Sequence, residues 1–254
     1  MSRNPRRTQL APGYILHHLP YRDTSRILEV LTREHGRLTL FARGVRGPKA
    51  KLARILEPFE LLLFSWSGGG EAAQLTGAEP AGALARPPSA ALMACFYLSE
   101  LVLKLTTRHD PHPRLFDAYH EALGQLKAGA ALEPALRLFE KRLLEEVGYG
   151  LDLASEGASG RPLERGAHYR FRPAQGLMRV PAGTSGALEG TSLLSLAAER
   201  LTTAAELEDA RRLLGAALDH CLEGRELATR VVARSIARRR SVARRAASSS
   251  ESRR

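Results

Sequence analysis

The spacing of apolar residues changes once along this chain, and that change limits what it can fold into. Up to about residue 81 apolar and polar residues alternate, as on half-buried strands whose successive side chains point to opposite faces. Beyond Pro87-Pro88 the apolar residues recur every three or four positions, the stripe of an amphipathic helix. A β region followed by an α region predicts an α+β chain with domains at 1–82 and 83–245, and a disordered tail at 246–254.

The β region reads as five short strands. Gly13–Leu19 and Arg26–Thr32 flank a turn at Pro20–Ser25, and Gly36 opens a third strand. On that strand Leu38 and Leu40 point one way, while Arg37, Thr39, Phe41 and Arg43 point the other. Phe59–Trp66 and Ala73–Ala78 follow, turned by Gly68-Gly69-Gly70; the first ten residues are expected to be disordered. So many short strands in so little chain predict a small closed barrel, with the OB-fold the leading candidate.

In the α region Leu92, Phe96, Ser99, Val102 and Leu103 mark one helix. Asp110-Pro111 reads as an N-cap and first helical residue for a second, running through Leu126. Leu136, Phe139, Leu143 and Val147 mark a third, stopped by Gly148. Residues 150–192 read as an irregular insert. Leu193–Ala197, Ala204–Gly215 and Ala216–Gly224 return to helical spacing, and Leu227–Arg245 reads as a basic helix.

Charge is segregated. Residues 1–54 hold 12 Lys/Arg against 3 Asp/Glu, residues 55–224 hold 16 against 22, and residues 225–254 hold 10 against 2. Two basic ends around an acidic middle suit a polyanionic partner. The loop after the third strand adds Arg46, Lys49, Lys51 and Arg54 to Arg43 without one carboxylate. With Arg37 and Arg43 as phosphate contacts and Phe41 as a stacking platform, the set predicts a nucleic-acid surface. Near the C-terminus, Arg225, Arg230 and Arg234 are candidates for an acidic partner, and Arg230, Arg234 and Arg238 share a helical face.

Catalytic chemistry finds no foothold. Cys95 and Cys221 are too few for a disulfide framework or a CxxC metal pair, which suits a reducing cytoplasm. His17-His18 point to opposite faces of a strand, His109-Asp110-Pro111-His112 fits a helix-entry turn, and no HExxH occurs, so no metal is expected. Gly68-Gly69-Gly70 lacks the Lys-Ser/Thr of a phosphate-binding loop, and Ser65-Trp66-Ser67-Gly68 is not a nucleophile elbow. Asp23, Glu29 and Glu34 form no obvious ion-holding cluster for a metal-dependent nuclease. No signal peptide and no membrane-spanning run is visible. The residues alone leave a DNA-binding protein and an OB-fold RNA-binding or ribosome-associated factor both open.

Several segments together resemble the bacterial recombination mediator family RecO. They are Gly13-Tyr14-Ile15-Leu16, Tyr21-Arg22-Asp23-Thr24-Ser25-Arg26-Ile27-Leu28, His35-Gly36-Arg37-Leu38, Ala42-Arg43-Gly44-Val45-Arg46 and Leu56-Glu57-Pro58-Phe59. Phe96-Tyr97-Leu98-Ser99-Glu100-Leu101, His109-Asp110-Pro111-His112-Pro113-Arg114-Leu115-Phe116, Phe139-Glu140-Lys141-Arg142-Leu143-Leu144 and Gly148-Tyr149-Gly150-Leu151-Asp152-Leu153 continue it. The resemblance implies an N-terminal OB-fold and a helical domain. It implies binding of single- and double-stranded DNA, strand annealing, and loading of RecA with RecR onto DNA covered by single-strand-binding protein (SSB), all without ATP. It also implies that the helical domain docks the acidic, apolar tail of SSB. Two departures stand out. Many members carry a four-cysteine zinc module where residues 153–178 have no cysteine, and Ala228 stands where a lysine is common.

Overall fold

A computed structural model describes residues 7–45 and 51–236, excepting the side chain of Lys51. Strands β1 (Arg7–Tyr21), β2 (Ser25–Thr32), β3 (Gly36–Ala42), β4 (Leu62–Ser67) and β5 (Ala73–Pro80) close into a barrel in the order β1-β2-β3-β5-β4. Every neighbouring pair is antiparallel except β3 and β5, which meet in parallel at Leu40–Ala73 and Phe41–Gln74. This is the five-stranded architecture of an OB-fold. Period-two alternation fills it: Ile15, Leu28, Val30, Leu38, Leu40, Leu62 and Phe64 face inward and are buried, with Leu56 packed among them from the β3–β4 connection.

β1 is longer than its alternating core suggested. Residues 7–10, expected to be disordered, lie on the strand, where Arg7 and Thr8 pair with Ser67 and Trp66. Arg7 to Gln9 carry no apolar pattern; their order comes from completing the β4 ladder, which periodicity cannot reveal. A register shift and a positive φ of 54° at Leu10 let one strand serve β4 with its first half and β2 with its second.

The helical domain holds α1 (Leu92–Leu105), α2 (Pro113–Lys127), α3 (Leu132–Glu146), α4 (Gly190–Ala197) and α5 (Ala204–Leu222). Residues 228–236 form a further helical stretch; the remainder of the expected basic helix, with Arg238, lies outside the described residues. The second helix starts later than Asp110-Pro111 suggested, with His112 at its N-cap position and Pro113 as its first residue. Pro111 and Pro113 both satisfy the Pro-at-start rule, and a tertiary contact described below takes Asp110. The expected break after Gly215 does not occur: α5 runs through it.

The insert is not irregular. Its strands β6 (His168–Arg172), β7 (Gly176–Val180) and β8 (Leu188–Glu189) form a small antiparallel sheet, which buries Tyr169, Leu177 and Leu188 against the helices. Strands this short, separated by glycine-rich turns, leave too little alternation to read.

Barrel and helices share one core. Tyr14, Leu16 and Leu31 point out of the barrel and join the cluster containing Phe116, Tyr119 and Phe139, with Tyr14 edge-on to Tyr119 at 5.2 Å. Polar contacts lock the same seam. Arg33 forms a double hydrogen bond to Asp117 at 2.9 and 3.0 Å, and Lys127 reaches Glu60 at 3.0 Å. Gly36, at φ +66°, lies so close to Asp110 that an added Cβ would sit 2.2 Å from its carbonyl oxygen. Only glycine fits there.

Candidate nucleic-acid interface

The outer face of β1, β2 and β3 divides into a covered half and an open half. Glu29, Leu31, Arg37 and Thr39 lie toward the helical domain. Arg37 spends its donors on Glu29 at 3.1 Å and on the carbonyl of Thr106 at 2.8 Å, and its own carbonyl accepts from His109 N–H. Its side chain is 13% exposed. Arg108 and Thr39 complete the cluster around Glu29. Burial pushes the Glu29 carboxyl up, but hydrogen bonds from Arg108 and Thr39 and both guanidinium charges outweigh it and hold the group below its usual range. Arg37, read from sequence as a phosphate contact, is therefore a clasp between the domains.

The open half carries Tyr21 and Phe41, with Leu19 and Ile27 beside them on the same face. Register puts Leu19 opposite Ile27 and Ile27 opposite Phe41, making one apolar row across three strands. Tyr21 meets Phe41 edge-to-face at 5.2 Å. The Arg43 guanidinium lies 5.5 Å from the Phe41 ring centre, and that of Arg22 lies 5.4 Å from Tyr21. Gln74 from β5 donates to the Phe41 carbonyl at 2.9 Å and so fixes the platform's edge. Two aromatic rings flanked by two cations, on the strand face that OB-folds use for oligonucleotides, can stack bases and neutralise the phosphates beside them.

Arg54 is exposed at the end of the 3-10 turn Lys51–Arg54, beside the same barrel. Arg46 and Lys49 lie outside the described residues, and of Lys51 only the backbone is described.

The C-terminal arginines separate by role. Arg225 donates to the carbonyls of Leu222 at 3.0 Å and Lys104 at 2.9 Å, capping α5 and joining it to α1. Its donors are committed to the scaffold. Arg230 pairs with Asp219 and stands 5.9 Å from the Tyr97 ring centre, while Arg234 is open to solvent. Arg230 and Arg234 border a groove of about 550 Å³ between α1, α3, α5 and the helical stretch 228–236, with Met93, Leu132 and Leu136 as apolar walls. At its base Arg137 pairs with the fully buried Glu140 at 3.2 Å, and Tyr97 donates to the same carboxylate at 2.7 Å. Burial raises the Glu140 pKa despite both partners. Glu100 accepts from the backbone of Ala228 and Thr229 and anchors the start of that helical stretch.

Comparison with known proteins agrees with this architecture. Residues 7–84 match the family Recombination protein O N terminal, and residues 89–230 match Recombination protein O C terminal. The DNA repair protein RecO of Methylococcus capsulatus is 43% identical over 233 residues, covering 91% of this chain and 96% of that protein. RecO of Thiobacillus denitrificans is 41% identical over 233 residues, covering 88% of this chain and 91% of its own length. RecO of Alkalilimnicola ehrlichii is 42% identical over 236 residues, with 91% and 93% covered. The chain belongs to the RecO family of DNA repair proteins.

The zinc module expected of many RecO proteins has no fit here. Residues 153–178 hold no cysteine; at the start of that segment Asp152 accepts from the backbone of Ala154 and Ser155, and Leu163 N–H donates to the Ala154 carbonyl at 3.0 Å. The turn is closed by hydrogen bonds, and among the described residues no group of three His, Cys, Asp or Glu is placed to hold a metal. No helix among the described residues is long and apolar enough to cross a membrane. Sequence reasoning missed Tyr21, Arg22, Tyr97 and Arg137. Tyr21-Arg22 was visible as an aromatic–cation pair at a turn; Arg137 gave no signal, since its place in the groove depends on helix packing.

Proposed function

We propose that this chain is a non-enzymatic mediator of recombinational DNA repair. It binds single- and double-stranded DNA, anneals complementary strands, and acts with RecR to load RecA onto strands covered by SSB. It does so in the cytoplasm, at the nucleoid, without nucleotide hydrolysis or a cofactor. The observation that carries this reading is the Tyr21–Phe41 platform under Arg22 and Arg43, on the oligonucleotide face of an OB barrel in a family of DNA repair proteins.

The mechanism follows from charge and stacking. Two bare strands repel through their phosphates; cations on the barrel face and in the 43–54 loop lower that repulsion. Stacking on Phe41 and Tyr21 holds bases unpaired and outward, and pairing with a second strand supplies the driving force. The groove bordered by Arg230 and Arg234 suits the SSB tail: apolar side chains enter between Met93 and Leu136, and the carboxylates meet the arginines.

Anisotropy titrations with matched DNA and RNA single strands test the reading. Tighter binding to DNA, weakened by Phe41→Ala, is expected. Preference for RNA would favour a ribosome-associated role instead, and magnesium-dependent cleavage of the DNA would contradict a non-enzymatic one. For the groove, Arg230→Glu with Arg234→Glu should abolish binding of a labelled SSB-tail peptide while leaving DNA affinity within about twofold.

A further inference from the structure

A second groove, of about 490 Å³, runs between the barrel and α1. Its floor is Phe59, buried and edge-to-face with Phe96 at 4.9 Å. Leu84, Leu92 and Phe96 are 49, 39 and 40% exposed, so three large apolar side chains face solvent around one cleft. Phe59 holds φ at +68°, a left-handed backbone that a bulky aromatic residue ordinarily avoids. The segment Leu56-Glu57-Pro58-Phe59 has no part in the platform described above. Leu56 plugs the barrel, and the next three residues line this groove.

The polar groups select the occupant. Arg54 and Arg86 are exposed at the rim, while Glu57 and Glu60 lie inside. Glu60 is already paired with Lys127; Glu57 is half-buried on the wall. An acidic peptide would bring its carboxylates against these two. A nucleotide fits the pattern, with phosphates on the rim arginines, the base on the exposed Phe96 ring, and the base amino group donating to a carboxylate. Continuity favours a strand already on the protein. The β1–β2 hairpin that presents Tyr21 on its outer face lends His18 to this groove, and Arg54, at the end of the 3-10 turn, lines it too.

We propose that this groove takes one unstacked base of single-stranded DNA, stacked on Phe96, with Arg54 and Arg86 holding its flanking phosphates and Glu57 accepting from the base amino group. The inference rests on the DNA-binding reading and adds a second, base-selective contact to it. Cytosine and adenine present an exocyclic amine with two hydrogens to Glu57; thymine offers only its N3–H, flanked on both sides by carbonyls that repel the carboxylate, so amino-bearing bases are preferred.

The test titrates the full chain with labelled oligo-dC, oligo-dT and a duplex of the same length. Phe96→Ala, and independently Arg86→Ala with Leu84→Ala, should weaken oligo-dC binding about tenfold and leave the duplex within about twofold, since paired bases cannot enter. Glu57→Gln should erase the preference of dC over dT. If folded Phe96→Ala and the second variant both bind oligo-dC like wild type while Phe41→Ala does not, the groove assignment fails and the platform stands. If the wild-type chain binds no single strand, both fail. Binding of an acidic, apolar peptide that Phe96→Ala abolishes would make the groove a protein site and overturn the proposal.

Discussion

At the scale of single residues, two arginines that alternation assigns to one face, Arg37 on β3 and Arg43 in the turn just past its end, have opposite fates. Arg37 meets Glu29 and a main-chain carbonyl at the domain seam, whereas Arg43 stands over Phe41 in the open. Arg43→Ala should reduce the salt dependence of single-strand binding by about 0.7 in the log–log slope. Arg37→Ala should leave that slope unchanged and cost about 1–3 kcal/mol of stability in urea unfolding, because it strips partners from buried acceptors. The alternation that put both on one face was legible in the sequence. Their division was not, because Thr106 and Arg108 arrive from the helical domain and no local pattern announces them. The outward side chain of Phe41 was legible from alternation; the place of Tyr21 beside it was not, because strand pairing brings the two rings together.

At the scale of elements, the strands were readable wherever a buried face imposed alternation, and the helices wherever a stripe did. The insert's sheet and residues 7–10 escaped, since their order comes from partners rather than pattern. Caps behave likewise: α5 begins with Thr203 and Glu206 in a reciprocal capping box, whereas α2 starts at Pro113 because Asp110 is held against Gly36. The Ser195 hydroxyl and the backbone N–H groups of Thr202 and Thr203 hold the Glu206 carboxyl down, at about 2. A depressed folded-state pKa stabilises fully above the ordinary carboxylate pKa and ceases to do so as pH falls through about 2. Urea unfolding of wild type and Glu206→Gln should therefore differ most above pH ~4.5 and converge as pH falls toward ~2.

At the scale of the molecule, barrel and helices act as one body because Tyr14, Leu16 and Leu31 lie in the helical core. Gly36 is the tightest point of that seam, and Gly36→Ala should cost at least about 2 kcal/mol by combining a left-handed φ with a clash against Asp110. Thermal unfolding should show it as one lowered transition for both domains. On this frame the barrel presents the Tyr21–Phe41 face proposed for DNA, and the helical domain presents a groove edged by Arg230 and Arg234. The segregation of charge in the sequence marks two candidate regions, but the α1–α3–α5 groove depends on the packing of helices distant in the chain. The central claim is that the open half of the β1–β3 face handles DNA. It is tested most directly by annealing of complementary, fluorescence-labelled single strands with the Tyr21→Ala, Phe41→Ala, Arg43→Ala triple variant. Loss of at least about tenfold in annealing rate, with the thermal transition retained, is expected; annealing at the wild-type rate by the folded variant would contradict it.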